Sequence, residues 1–277
     1  MCQLLGMNAA KPADLRFSLT GFAARGGLTD HHGDGFGVGF FEDKACRIFM
    51  DSQPAATSPV AELLKSFSIK SRNVVSHIRK ATQGDPLQLE NCHPFTRELW
   101  GRHWLFAHNG DLLDYNPIPA GHYQPVGTTD SERAFCMLME RLKQISPREP
   151  CSLSTVFETL CTLSEETAEF GVFNYLLSNG QALFAHCSTR LYYVIREWPF
   201  SNAQLVDSDL SIDFAQTNDP HDRVCVVATQ PLTRNESWKQ LQPGQLLWIE
   251  GGQIMRSAQL EVSEEIRRRN AASLACL

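Results

Sequence analysis

The chain opens with "MCQLLGMN" (residues 1–8), an apolar run that places a cysteine directly behind the initiator methionine. The run predicts a buried strand over residues 2–7. A residue as small as Cys2 permits removal of Met1, which would leave a thiol and a free α-amine on one residue. The plainer reading is that Cys2 only begins the strand. Motifs elsewhere in the chain decide between these readings.

The composition is that of an ordinary globular protein, with 43% hydrophobic residues among 277 and a net charge of −6. No basic stripe is present, so we expect no nucleic-acid partner. We find no apolar stretch that could span a membrane and no secretory signal. Nine cysteines without a CxxC pair argue against a disulfide framework and a structural zinc site. We therefore expect a cytoplasmic protein without metal or cofactor, and interpret "DHHGD" (30–34) as a solvated loop.

Apolar residues at helical spacing predict helices over residues 14–25, 59–67, 129–145 and 153–165. The third helix begins with a predicted capping box of Thr129 and Glu132. Its buried stripe is predicted to consist of six apolar side chains, namely Ala134, Phe135, Leu138, Met139, Leu142 and Ile145.

Strands are predicted for "GFGVGFF" (35–41), "NVVSHIR" (73–79) and "HWLFAHN" (103–109). The glycines of the first indicate that another backbone approaches closely. Hairpins are predicted at Asn179-Gly180 and at Gly251-Gly252. Strands in both halves, with helices grouped between them, give the order of an α+β protein. We assign residues 2–257 to one domain and residues 258–277 to a polar C-terminal tail.

A cysteine is a strong nucleophile only after deprotonation, and it needs a base for that step. After loss of Met1, Cys2 would carry its own base, because an α-amine has an ordinary pKa of about 7.7–8.0. The amine could take the thiol proton, directly or through a water, while the sulfur attacks an acyl carbon.

Three further stretches place polar groups at the ends of predicted strands or helices. In "SHIRKATQG" (76–84), the Arg79 guanidinium can grip a carboxylate and the Thr82 hydroxyl can add a hydrogen bond. In "FAHNGD" (106–111), the Asn109 amide and the Gly110 N–H are donors of the kind that form an oxyanion hole. In "GTTDSE" (127–132), Asp130 lies in the first turn of a helix and could bind an ammonium group.

Each stretch also has a plainer reading, namely a surface arginine, a tight Asn-Gly turn and a carboxylate at a helix start. Together they describe one ligand, with a carboxylate, an adjacent ammonium and a reactive carbonyl at its far end. Glutamine or another γ-glutamyl compound fits this description.

The chain resembles the class II glutamine amidotransferases, which use an N-terminal nucleophile, and within them a small stand-alone bacterial group. The matching elements, in order, are Cys2, "HHGDGFGVGF" (31–40), "HIRKATQG" (77–84), "NCHPF" (91–95), "AHNGDL" (107–112) and "TDSE" (129–132). The resemblance implies the four-layer αββα sandwich of the N-terminal-nucleophile hydrolases. It also implies a nucleophile role for Cys2, oxyanion donation by Asn109 and Gly110, and glutamine recognition by Arg79, Thr82, His93 and Asp130.

The function implied by the resemblance is hydrolysis of the glutamine side-chain amide through a Cys2 γ-glutamyl thioester. The ammonia would pass to a partner protein, and the chain could form a homo-oligomer. Two alternatives stay open. One is a hydrolase of γ-glutamyl peptides or amides, since Gln3 and Lys80 depart from residues common in synthetase relatives and the 111–128 loop could widen the pocket. The other is a non-catalytic glutamine-binding regulatory module. We expect no synthase domain in the residues after the last predicted strand.

Overall fold

The structure is a computed structural model that describes residues 2–80, 88–118 and 120–275. Strands β1 to β15 span Gln3–Asp14, Phe36–Glu42, Ala45–Asp51, Lys70–Ile78, Phe95–Leu99, Arg102–Asn109, Asn174–Ser178, Ala182–Cys187, Tyr192–Glu197, Asn202–Gln204, Ser211–Asp213, Arg223–Ala228, Lys239–Gln240, Gln245–Glu250 and Gln253–Gln259. Helices α1 to α6 span Arg16–Ala24, Pro59–Ser66, Asp130–Ile145, Leu153–Ala168, Phe214–Thr217 and Glu264–Ala275, and a 3-10 turn spans Leu89–Asn91.

Two antiparallel sheets stack face to face at the centre of the molecule. The first has the order β13-β9-β12-β1-β4-β2-β3, and the second has the order β15-β14-β8-β7-β6-β5. Helices α1 and α2 bury their apolar faces on the outer side of the first sheet, and α3 and α4 do the same on the second. A third apolar cluster fills the space between the sheets. The predicted α+β class and four-layer αββα sandwich are confirmed.

Successive side chains of a strand point to opposite faces of the sheet, so one strand contributes to two apolar clusters. In β1, Leu5 and Met7 point towards α1 and α2, whereas Leu4 points towards the second sheet. Glycines let the sheets approach, because a Cβ at Gly39 would lie 2.3 Å from the Leu105 side chain. A Cβ at Gly37 would lie 2.2 Å from the His93 carbonyl oxygen, as the prediction of close backbone approach for this strand requires.

Helix α3 corrects two details of the sequence analysis. Thr129 caps the helix by accepting a hydrogen bond from the Glu132 N–H at 3.2 Å, as predicted. The Glu132 carboxylate does not complete a capping box, because it instead accepts the N–H groups of Val126 and Gly127 and pairs with Arg97 at 2.6 Å. Ile145, predicted in the buried stripe, is 49% exposed because it is the last residue of the helix.

The C-terminal residues continue the fold beyond residue 257. Strand β15 extends to Gln259, and α6 follows after a short connection. Leu260, Ile266 and Asn270 are buried. The division into a domain ending at residue 257 and a tail stays a prediction.

Candidate active site

The candidate nucleophile lies at the start of the central strand of the first sheet. Strand β1 pairs antiparallel with β4, with Gln3 opposite Ile78 and Leu4 opposite His77. Continuing this register by one residue places Cys2 beside Arg79. The Lys80 N–H approaches the Cys2 sulfur at 3.2 Å, and the sulfur lies 3.4 Å from the Lys80 carbonyl oxygen.

The environment of Cys2 keeps its thiol protonated. Burial raises the pKa of the thiol above its ordinary value, while the Lys80 backbone contact and the Arg79 guanidinium lower it in part. The nearby Asp111 carboxylate raises the pKa further. A thiol in this state is a poor nucleophile until a base removes its proton.

Arg79 directly follows β4, the strand that pairs with β1, and is buried, with 4% of its surface exposed. Its backbone is fixed on both sides, because its N–H donates to the Gly35 carbonyl at 2.8 Å and its carbonyl accepts the Asp34 N–H at 3.2 Å. The "HHGDG" stretch therefore anchors the end of β4, and with His32 buried it is not the solvated loop that the sequence analysis predicted. Thr82, predicted beside Arg79, lies outside the described residues.

Asn109 and Gly110 form a corner where β6 leaves the second sheet. Asn109 is the last residue of β6, pairs with Asn174 of β7 and is buried. Gly110 fits only because it has no side chain, since a Cβ there would lie 1.8 Å from the Val172 carbonyl oxygen. Within the described part of the chain, the Asn109 side-chain oxygen has no hydrogen-bond partner.

Two buried residues that the sequence analysis missed support this corner. Thr229 accepts the Leu4 N–H at 2.9 Å, and its hydroxyl lies 3.5 Å from the Asn109 side-chain amide. It therefore links the strand of Cys2 to Asn109. Asn174 donates to the Asn109 carbonyl at 3.0 Å and accepts the N–H groups of Ser188 and Thr189.

Asp130 is the first residue of α3 and lies next to the corner. Its carboxylate accepts the Leu112 N–H at 2.7 Å and the Ser131 N–H at 2.6 Å, one on each oxygen. The Leu112 contact connects Asp130 to the chain segment that leaves Gly110. The oxygen bound by Leu112 keeps a lone pair that could accept a hydrogen bond from a ligand, whereas the other oxygen also lies 3.2 Å from the Ser131 hydroxyl.

His93 lies in a buried cluster of rings. Its ring packs at a tilt against His77, with 4.1 Å between centroids, and against Phe95, with 4.3 Å. Burial lowers the pKa of His93 well below its ordinary value, and lowers that of His77 to about 3. Both rings are therefore neutral near pH 7. Among the described residues, no group hydrogen-bonds to either ring nitrogen of His93.

The structure thus gathers Cys2, Arg79, the Asn109-Gly110 corner and Asp130 at one end of the stacked sheets. Such an arrangement offers a thiol, a cation for a carboxylate, amide donors for a developing oxyanion and an anion for an ammonium. In the described ranges, no group of three or more His, Cys, Asp or Glu side chains could hold a metal ion. No helix formed by the described residues is long and apolar enough to cross a membrane.

Comparison with known proteins gives the class. The sequence profile described as "Glutamine amidotransferases class-II" matches residues 1–273. The chain therefore belongs to the class II glutamine amidotransferases, and the predicted family and fold of the N-terminal-nucleophile type are confirmed.

Individual relatives refine this assignment. The chain is 50% identical over 245 residues to YafJ of Escherichia coli (strain K12), which is named provisionally as a glutamine amidotransferase; the match covers 88% of this chain and 96% of YafJ. A crystal structure of a predicted glutamine amidotransferase from Pseudomonas aeruginosa PA01 matches with a TM-score of 0.74 and 41% identity, covering 92% of this chain and 100% of that one. A shorter match, 36% over 92 residues, is to the gamma-glutamyl-hercynylcysteine sulfoxide hydrolase of Mycobacterium tuberculosis (strain CDC 1551 / Oshkosh), covering 32% of this chain and 35% of that protein.

Proposed function

We propose that this protein hydrolyses the side-chain amide of glutamine through a γ-glutamyl thioester on Cys2 and releases ammonia and glutamate. The observation that carries the proposal is the meeting of Cys2, Arg79 and the Asn109-Gly110 corner at one end of the sheets. The short link through Thr229 sets the corner within reach of the strand that carries the thiol.

The chemistry begins with removal of Met1. The α-amine of Cys2 takes the thiol proton, and the sulfur attacks the amide carbon of glutamine. The Asn109 side-chain amide and the Gly110 N–H donate to the oxyanion. The protonated amine then gives its proton to the departing nitrogen, so that ammonia leaves. Water opens the thioester with the amine as base and frees glutamate and the thiol.

Recognition of the donor follows from charge. The Arg79 guanidinium binds the α-carboxylate, the Asp130 carboxylate binds the α-ammonium, and His93 contributes to recognition. The role of Thr82, outside the described residues, stays a prediction. Because burial keeps His93 neutral, it would meet the substrate as an uncharged ring. Transfer of the ammonia to a partner protein and assembly into a homo-oligomer stay predictions.

A second candidate function is hydrolysis of a larger γ-glutamyl compound. The match to a γ-glutamyl hydrolase in one third of the chain favours it. The same thiol, corner and clamp would serve, since only the leaving group beyond the γ-carbonyl changes. The 111–128 segment begins directly after Gly110, the proposed oxyanion donor, and its first residues would face such a leaving group.

Release of free glutamate from glutamine and from γ-glutamyl peptides separates the candidates. Turnover of glutamine supports the first, and turnover of peptides alone supports the second. Cys2→Ala should abolish turnover while the protein stays folded, and Cys151→Ala, which removes a half-buried thiol before α4, should change neither. Binding of glutamine without turnover of any donor by the unmodified chain would contradict both and favour a regulatory module.

A fusion that cannot be cleaved from Cys2 tests the role of the amine. Such a fusion leaves the sulfur in place but converts the amine into an amide, which cannot accept a proton. We expect no glutamate release from it, and full release after a protease exposes Cys2. Full activity in the uncleaved fusion would contradict the proposed base.

A further inference from the structure

A buried histidine connects the two halves of the candidate site. His108 lies in β6 directly before Asn109 and is 1% exposed. Its Nδ1 lies 2.8 Å from the Ser131 hydroxyl, and its Nε2 lies 2.9 Å from the Val172 carbonyl oxygen. The Ser131 hydroxyl also lies 3.2 Å from an Asp130 carboxylate oxygen. One imidazole thus reaches towards both the ammonium clamp and the oxyanion corner.

The positions of the protons follow from the partners. A carbonyl oxygen can only accept, so the ring proton of His108 lies on Nε2 and points to Val172. Burial lowers the pKa of His108, an effect larger than the opposing pull of the Asp130 carboxylate, so the ring is neutral near pH 7. Its Nδ1 is therefore an acceptor. Ser131 has a single hydroxyl proton, and the hydroxyl donates it in a hydrogen bond to the closer His108 nitrogen. It therefore has no second proton to donate to Asp130.

The other side of the ring supports the oxyanion corner. The Val172 carbonyl that His108 holds is the atom that would lie 1.8 Å from a Cβ at Gly110, and Nε2 itself would lie 2.9 Å from it. Gly110 therefore packs against both atoms of the hydrogen bond between His108 and Val172. The Val172 N–H also donates to the Asp111 carbonyl at 3.1 Å, which ties the same segment to the residue after Gly110.

We propose that His108 is a positioning residue. Its Nδ1 accepts the hydrogen bond of the Ser131 hydroxyl, so that Asp130 stays open to the substrate ammonium, and its Nε2–H holds the Val172 carbonyl beside Gly110. The inference rests on the proposed function, because it takes Asp130 as the partner of the ammonium. Without the His108 acceptor, the Ser131 hydroxyl would turn and donate to Asp130, where it would compete with the substrate.

Two substitutions of His108 separate its two contacts. In His108→Gln, the amide can still donate to Val172, but Ser131 loses its acceptor. We expect the KM for glutamine to rise on the order of tenfold, with kcat little changed. In His108→Asn, the side-chain oxygen replaces Nδ1 and still accepts from Ser131, but Val172 loses its donor. We expect kcat to fall while the KM is retained.

A second change and a second substrate exclude a merely structural effect. Adding Ser131→Ala to His108→Gln removes the competing hydroxyl and should restore the KM for glutamine. Glutaramate, which is glutamine without its α-amine, has no ammonium for Asp130, so its kcat/KM should change by no more than about twofold in His108→Gln. Ser164→Ala removes another buried serine, 2.8 Å from the Tyr175 hydroxyl, and should leave every KM unchanged.

Two results would overturn the inference. One is a KM for glutamine as high in the double variant as in His108→Gln alone, and the other is an equal loss of kcat/KM with glutaramate and with glutamine. If His108→Gln does not fold, the kcat loss in His108→Asn is the test, and an unchanged kcat overturns the inference. If the unmodified chain releases no glutamate from any γ-glutamyl donor, the proposed function fails. The Kd of glutamine for Cys2→Ala, with and without the His108 and Ser131 changes, then decides the inference independently.

Discussion

At the scale of single residues, the candidate site depends on positions where backbone meets backbone. Gly37 lies against the His93 carbonyl, and Gly110 lies against the Val172 carbonyl. Any side chain at these positions would push apart segments that carry Asn109 or His93. The site therefore depends on glycine at these two positions as much as on its reactive residues.

Gly110→Ala should lower both stability and turnover. The added Cβ would overlap the Val172 carbonyl oxygen, so the corner has to move, and we expect a loss of about 1–3 kcal/mol in the free energy of unfolding. Turnover should fall, because the Gly110 N–H moves with the corner. Urea unfolding and glutamate release measure the two effects.

Gly33→Ala is the matched control for this change. A Cβ there would meet only the Pro54 side chain, at 3.8 Å, so we expect a change of less than about 0.5 kcal/mol. Equal stabilities of the two variants would contradict the packing that we describe for Gly110.

The residues that the sequence could predict lie next to one another in short motifs. Asn109, Gly110 and Asp130 follow predicted strand or helix boundaries, and their chemistry is readable from that position. Thr229 and Asn174 could not be predicted, because they reach Asn109 through space from strands far along the chain. A buried threonine or asparagine has no local pattern that distinguishes it from a polar residue in a turn.

At the scale of elements, the start of α3 positions the candidate ammonium clamp. Thr129 caps the helix, Asp130 begins it, and Glu132 fixes the preceding loop through the Val126 and Gly127 N–H groups. The sequence predicted the cap because a helix start has a local signature. It could not predict the partners of Glu132, since these come from the folded loop and from Arg97 in β5.

Thr129→Ala should weaken both the helix start and substrate binding. Loss of the cap to the Glu132 N–H should cost about 0.5–2 kcal/mol of stability and should raise the KM for glutamine, because Asp130 loses its fixed backbone. Thermal unfolding and steady-state kinetics measure the two effects.

Ser152→Ala removes the equivalent cap of α4, which the Thr155 N–H reaches at 3.1 Å. It should cost similar stability and leave the KM unchanged, since α4 contributes no predicted site residue. If both variants raised the KM equally, the effect would be one of general stability.

At the scale of the whole molecule, one end of the stacked sheets carries the candidate site and the other end carries a polar junction between the sheets. The candidate site occupies one end. At the other end, the buried side chains of Asn8 and Asn73 lie 2.8 Å apart. They bond to Gly180, Gln181 and Gly252, in the turns that connect strands of the second sheet. The patterns of strands and helices predicted the α+β order and the family resemblance implied the four layers, but neither indicated this polar junction between strands distant in sequence.

Asn73→Ala should therefore lower stability without lowering activity. The change leaves the Asn8 amide and the Gly180 carbonyl without their buried partner, which should cost about 1–3 kcal/mol. Below the unfolding transition, kcat/KM should equal that of the unmodified protein. Asn202→Ala, at the exposed first residue of β10, should change neither quantity. A fall in kcat/KM for Asn73→Ala alone would show that the ends are coupled.

The most direct test of the central claim is the intact mass of the protein quenched with acid during turnover of glutamine. Our account predicts that the mature chain lacks Met1 and gains the mass of one γ-glutamyl group, located on Cys2 by fragmentation and absent in Cys2→Ala. Glutamate release with no such adduct on Cys2, or with the adduct on another cysteine, would contradict it.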